Sequence, residues 1–140
     1  MVIQRWQSVY LLLGFFAMIL VCIRPFGMIV APDGAIDAEL VALDYPVFLI
    51  VNILTGLLLL IDIFLFKNLK LQRLVAAICL LLIIASAATA AIVLTSYGDL
   101  WQVAWYGAPV GIICAFICTL LARHRMGEDE KKLRSYDRLR

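Results

Sequence analysis

Four long apolar stretches, separated by short polar connections, occupy most of this 140-residue chain, and that pattern leaves few folds open. The hydrocarbon core of a bilayer, about 30 Å thick, takes about 20 mostly apolar helical residues per crossing, so four crossings consume roughly 80 positions. Little is left for a second domain. With 65% hydrophobic and 16% charged residues and a mean hydropathy of +1.03, the composition excludes a soluble domain of this size. Cys22, Cys79, Cys114 and Cys118 lie within or at the edge of the apolar stretches. A thiol there behaves as a small hydrophobe, and disulfide pairing is not expected.

The first stretch, about residues 7–23, ends at Arg24 and Pro25, where a charge and a missing backbone donor stop a helix. It reads as a retained helix. No small-x-small cleavage site follows it, and Val21 before Cys22 argues against a lipoprotein signal. Residues 24–44 carry Pro25, Gly27, Pro32 and Gly34 with Asp33, Asp37, Glu39 and Asp44, and so read as an irregular acidic loop. Its apolar patch Met28, Ile29 and Val30 could rest on the bilayer surface or on other loops. The second helix is expected over about 45–66 and the third over about 74–94.

Between them, Lys67, Asn68, Lys70 and Arg73 form a basic turn too short to cross a membrane, which makes helices two and three an antiparallel hairpin. Residues 95–106 include Tyr97, Trp101, Trp105 and Tyr106, aromatic side chains of the kind found at headgroup level. Helix four is expected over about 107–122, with Pro109 in its first turn where a missing donor costs nothing. The expected organisation is therefore a four-helix transmembrane domain, 1–122, and a mixed-charge tail, 123–140. No internal repeat is convincing.

Charge sets the expected orientation. Of the 12 Lys and Arg residues, Arg24 stands alone on the acidic-loop side, while Arg5, Lys67, Lys70, Arg73 and seven tail residues stand on the other. Positive loops stay inside, so both termini are expected in the cytoplasm. The fold class that follows is all-α: a multi-pass integral-membrane four-helix bundle with antiparallel up-down topology.

Asp62 is the only carboxylate within an apolar segment. An acid at membrane depth is a functional candidate by default, yet Asp62 precedes Lys67 by five residues, about 7.5 Å along a helix. It could reach the interface or pair with a cation there, and that blander reading is favoured. Asn52 in the same segment could add an interhelical hydrogen bond. Gly107, Gly111 and Ala115 recur every four residues, as do Ala87 with Ala91 and Ser86 with Ala90. Small residues at that spacing make packing grooves, and helices three and four are expected to meet along them, with a partner subunit's helix as the alternative occupant.

Cys114 and Cys118 lie one turn apart, but His124 is too far along the axis to complete a metal site, and no Cys-x-x-Cys is present. No metal or cofactor is expected. In the tail, Glu128 stands four before Lys132 and Glu130 four before Arg134, which supports a short helix. That helix is expected to lie on anionic headgroups or to meet a protein. Its seven basic residues are mixed with four acids, a poor footprint for nucleic acid.

Three stretches, VIQRWQSVYLLL at the start, FLFKNLKLQ after the second segment and GEDEKKLRSYDRLR at the end, resemble domain-of-unknown-function family 4293, small four-helix membrane proteins of Bacteroidota. The resemblance spans the chain in order. It implies an inner-membrane address and the four-helix topology, and it carries over no activity and no catalytic residue. Its motifs sit at Arg5, at the Lys67 turn and in the tail, which suggests a working cytoplasmic face with Arg5, Lys67, Lys70, Arg73, Arg134, Arg138 and Arg140 as candidate partner or lipid contacts.

No nucleophile, paired carboxylates or metal cluster converges in the sequence, so an enzyme is not expected. The expectation is a non-enzymatic subunit or scaffold of a membrane assembly, with lipid and other membrane subunits as partners. The alternative is a small dimeric proton-coupled transporter using Asp62.

Overall fold

The computed structural model describes residues 2–103 and 107–138. Trp105, Tyr106 and Arg140, and the side chain of Arg5, lie outside the described residues. Among the described residues, four helices are long and apolar enough to cross a membrane: α1 (Val2–Ile23), α2 (Pro46–Phe64), α3 (Leu69–Thr95) and α4 (Ala108–Arg138). α1 packs against α2 and α4, and α3 packs against the same two.

Each helix is longer or shorter than its apolar run because hydropathy marks the part that meets lipid, whereas capping and charge solvation decide where the helix stops. Pro46 opens α2 at its first turn. Asn68 caps α3, its side chain accepting from the Leu71 N–H at 3.3 Å. Lys70 and Arg73 therefore ride on the first turns of α3, and only the short 3-10 turn Leu65–Lys67 and Asn68 separate it from α2. The expected polar tail is no separate unit: α4 runs unbroken for 31 residues, about 46 Å, through Arg138.

The acidic loop is not irregular, and the molecule is not purely helical. Gly27–Val30 (β1) and Ile36–Leu40 (β2) form an antiparallel hairpin, and Trp101–Gln102 (β3) adds on the other side of β1. Met28, Ile29 and Val30, taken above for a surface patch, are the central strand. The turn closes where Ala31 N–H donates to the Ala35 carbonyl at 2.9 Å, with Gly34 at φ +84°, a conformation only glycine adopts freely.

Two buried clusters fill the interior. One, around Phe26, Leu40, Phe48 and Leu94, lies beneath the sheet. The other, around Leu11, Met18, Leu59, Cys79, Ile83 and Met126, fills the space towards the end where the chain starts and finishes. Outside, Leu13, Phe16, Ile50, Leu57, Leu81, Ile84, Ile113 and Ile117 are exposed. A soluble monomer avoids so extended an apolar surface, and in lipid it is the ordinary exterior.

The glycine row of α4 faces α1, not α3. A Cβ at Gly111 would stand 2.7 Å from Val21 Cγ2 and 2.9 Å from the Ala17 carbonyl oxygen, and one at Gly107 would overlap the Pro25 carbonyl oxygen. Ala115 is fully buried in the same seam. The expectation that helices three and four meet along these residues is thus corrected. On α3 the buried small residues are Ser86 and Ala90, while Ala87 and Ala91 face outward.

Candidate functional site

The interior of the helices is not wholly apolar, and its polar groups follow helical spacing. On α3 the buried row is Gln72, Ala76, Cys79, Ile83, Ser86 and Ala90, steps of three and four that define one face. On α2 the corresponding row is Phe48, Asn52, Thr55, Leu59 and Asp62. These two faces meet. Ser86 Oγ donates to Asn52 Oδ1 at 2.8 Å, and Asn52 Nδ2 donates to the Phe48 carbonyl at 2.6 Å. Thr55 and Thr119 turn their hydroxyls back to carbonyls on their own helices, which removes the cost of burying them. The interhelical bond expected of Asn52 is made with Ser86.

At the end of α2 the balance fails. Asp62 is fully buried, and it pairs with no cation among the described residues; Lys67 is exposed. Gln72 Nε2 donates to the Asp62 backbone carbonyl at 3.1 Å. The two carboxyl oxygens of Asp62 and Gln72 Oε1 are buried with no hydrogen-bond partner. No other buried side-chain oxygen or nitrogen among the described residues lacks a hydrogen-bond partner. A buried polar atom left unmatched costs about 1–3 kcal/mol.

Each helix contributes one such buried polar side chain at this end. Gln7 of α1 donates through Nε2 to Asp129 Oδ2 of α4, with both side chains buried. Gln7, Asp62, Gln72 and Asp129 each stand three or four residues beyond a member of the same apolar cluster, namely Leu11, Leu59, Ala76 and Met126. They form a polar rim over that core.

Further out, Arg73 Nη1 and Arg134 Nη2 both donate to Glu130, at 2.9 and 2.6 Å. Arg73, one of the expected contact residues, is thus tied to α4. Glu128 pairs with His124 and Arg125 at 3.4 and 3.3 Å, in place of the Lys132 expected from spacing. Lys67, Lys70 and Arg138 are exposed. At the opposite end the Tyr45 and Tyr97 hydroxyls stand 2.5 Å apart. Burial, then the bond to Tyr97, holds the Tyr45 phenol up at about 12.

Sequence reasoning assigned no structural role to Gln7, Gln72 or Asp129. The signal was available, because each continues the periodic row of small and apolar residues on its helix.

Together these features define a small polytopic α-helical protein, apolar outside, with a few hydrogen-bonded polar side chains inside and charge concentrated at one end. The chain belongs to domain-of-unknown-function family 4293, whose model matches residues 3–139. No curated protein and no solved structure matches it.

Proposed function

We propose that this chain is a non-enzymatic subunit or scaffold of a bacterial inner-membrane assembly, an up-down-up-down four-helix bundle with both termini in the cytoplasm. The observation that carries the reading is the outward face of α3, where Ala87, Ala88 and Ala91 are exposed together. Small residues facing lipid make a shallow, rigid strip against which another helix backbone can approach closely. Inside this chain that strip has no use, since Ser86 and Ala90 already serve the internal contact. The charge asymmetry supports the orientation, and the exposed Lys67, Lys70 and Arg138, with Arg134, support a cytoplasmic contact surface.

Gentle detergent extraction of the tagged protein, followed by mass spectrometry of stoichiometric companions, tests this. A reproducible complex lost on Ala91→Leu supports it; a lone chain, with Ala91→Leu indistinguishable from wild type, removes it. Arg134→Gln with Arg138→Gln and Arg140→Gln separates the cytoplasmic contact from the helix contact.

A second reading rests on Asp62. A fully buried acid without a partner inside a membrane helix suits proton coupling in a small dimeric transporter. Proton flux in vesicles that survives Asp62→Asn, or no flux at all, sinks it.

A further inference from the structure

A groove of about 370 Å³ opens on the side of the molecule between the start of α3 and the second half of α4, lined by Arg73, Leu120, Arg123, His124, Gly127, Glu128 and Lys131. Its chemistry changes abruptly along one helix face. Ile113, Ile117 and Leu120 of α4 are exposed and apolar; at steps of three and four the face continues with His124, Gly127 and Lys131, flanked by Arg123. The outward side of α3 changes at the matching level, with exposed Ile78 and Leu74 giving way to Arg73.

Arg73 lies against α4 at Gly127, where a Cβ would stand 3.7 Å from Arg73 Cζ, ordinary contact distance. Nη1 of Arg73 is committed to Glu130, which holds the guanidinium in place, and its side chain is still 44% exposed, so its other donors stay accessible. The groove's one acid, Glu128, is engaged by His124 and Arg125. Arg123 and Lys131 have no carboxylate partner among the described residues.

We propose that this groove binds the phosphate headgroup of an anionic phospholipid, with Arg73, Arg123 and Lys131 around the phosphate and one acyl chain lying along Leu120, Ile117 and Ile113. A soluble phosphate would use only the cationic half. The apolar strip leading directly into it is what selects a lipid, and basic pockets between membrane helices are a known headgroup chemistry. The inference rests on the membrane placement of the helices and is independent of any partner subunit.

Native mass spectrometry of the full chain, delipidated in a neutral detergent and titrated with phosphatidylglycerol or phosphatidylcholine, reads the site. Phosphatidylglycerol is expected to be retained preferentially. Arg123→Gln with Lys131→Gln is expected to weaken that retention roughly twenty-five-fold, taking each basic residue near a headgroup as worth about fivefold. Lys67→Gln with Lys70→Gln, outside the groove, is expected to change it little. Equal retention of both lipids overturns the proposal, as does an equal loss from the control pair, which would mean bulk charge attraction only. Displacement of phosphatidylglycerol by inorganic phosphate at equal concentration would assign the site to a free anion and overturn the lipid assignment. Release of the protein from membranes by an alkaline carbonate wash would instead defeat the membrane placement itself.

Discussion

Gln7 and Asp129 lie 122 positions apart in the chain and are joined side chain to side chain in the interior. The bond fastens the opening turns of α1 to α4 beyond its apolar half, so the polar part of α4 is held as an extension of the folded core. Removing the acceptor strands a buried amide. Asp129→Ala is expected to destabilise the protein by about 1–3 kcal/mol, whereas Asp129→Asn, which keeps an acceptor oxygen, should cost less than half as much. Thermal unfolding in detergent, followed by circular dichroism, checks the order; equal losses would mean that an acceptor oxygen is not enough and that the site needs the carboxylate itself.

The α1–α4 seam makes a sharper claim about space. Ala17, Val21 and Gly111 approach so closely that a methyl group at position 111 meets a backbone carbonyl that cannot swing aside. Gly111→Ala is expected to cost about 1–3 kcal/mol, the usual penalty of overpacking. Gly56→Ala is the matched control, since its Cβ would find Phe15 Cδ2 at 3.7 Å, ordinary contact distance. Replacing a helical glycine by alanine gains up to about 1 kcal/mol in propensity, so Gly56→Ala should be neutral or stabilising. Both variants losing stability alike would refute the seam.

How much of this was legible in advance follows from what each feature needs. The four apolar runs require no knowledge of neighbours, because the bilayer itself dictates their length. The face of a helix that turns inward requires contrast, and between Ala85 and Ala91 α3 is small on every side; periodicity could not separate Ser86 and Ala90 from Ala87 and Ala91. The strand Gly27–Val30 was hidden for a different reason. Its second partner, Trp101–Gln102, is two residues long and lies far along the chain, so no local pattern announces the sheet. Asp62 was visible as an anomaly. That it has no partner was not, because solitude is a property of everything packed around it. Gln7, Gln72 and Asp129 could have been found, since each falls on the 3.6-residue row that also carries Leu11, Ala76 and Met126.

The ion pair between Arg73 and Glu130 joins α3 to α4 at the charged end, with Arg134 sharing the same carboxylate. The cations are exposed and solvent screens them, so the network is worth little. Glu130→Gln is therefore expected to change stability little, with any effect vanishing in about 1 M salt, where charges are screened within about 3 Å. A large salt-independent loss, measured by thermal unfolding, would show that Glu130 has a packing role that its ion pairs do not explain.

Asp62 gives the test with the widest consequence. Its two carboxyl oxygens and Gln72 Oε1 are buried without a hydrogen-bond partner, while the backbone bond from Gln72 Nε2 to the Asp62 carbonyl does not depend on the Asp62 side chain. Asn at position 62 supplies an N–H in almost the same volume, a donor for a neighbourhood whose Gln72 Oε1 has none. If the acid has no task, Asp62→Asn should raise stability by about 1 kcal/mol, the net worth of a hydrogen bond made where none existed, and leave any co-purifying complex intact. Asp62→Leu should fare worse, since it leaves Gln72 Oε1 without a donor. Stability measured in detergent, together with complex recovery and proton flux in vesicles, separates the readings. A more stable Asn variant with its complex intact and no flux to lose makes Asp62 a tolerated structural anomaly. A more stable variant that has lost flux makes it a residue kept for function at the expense of the fold.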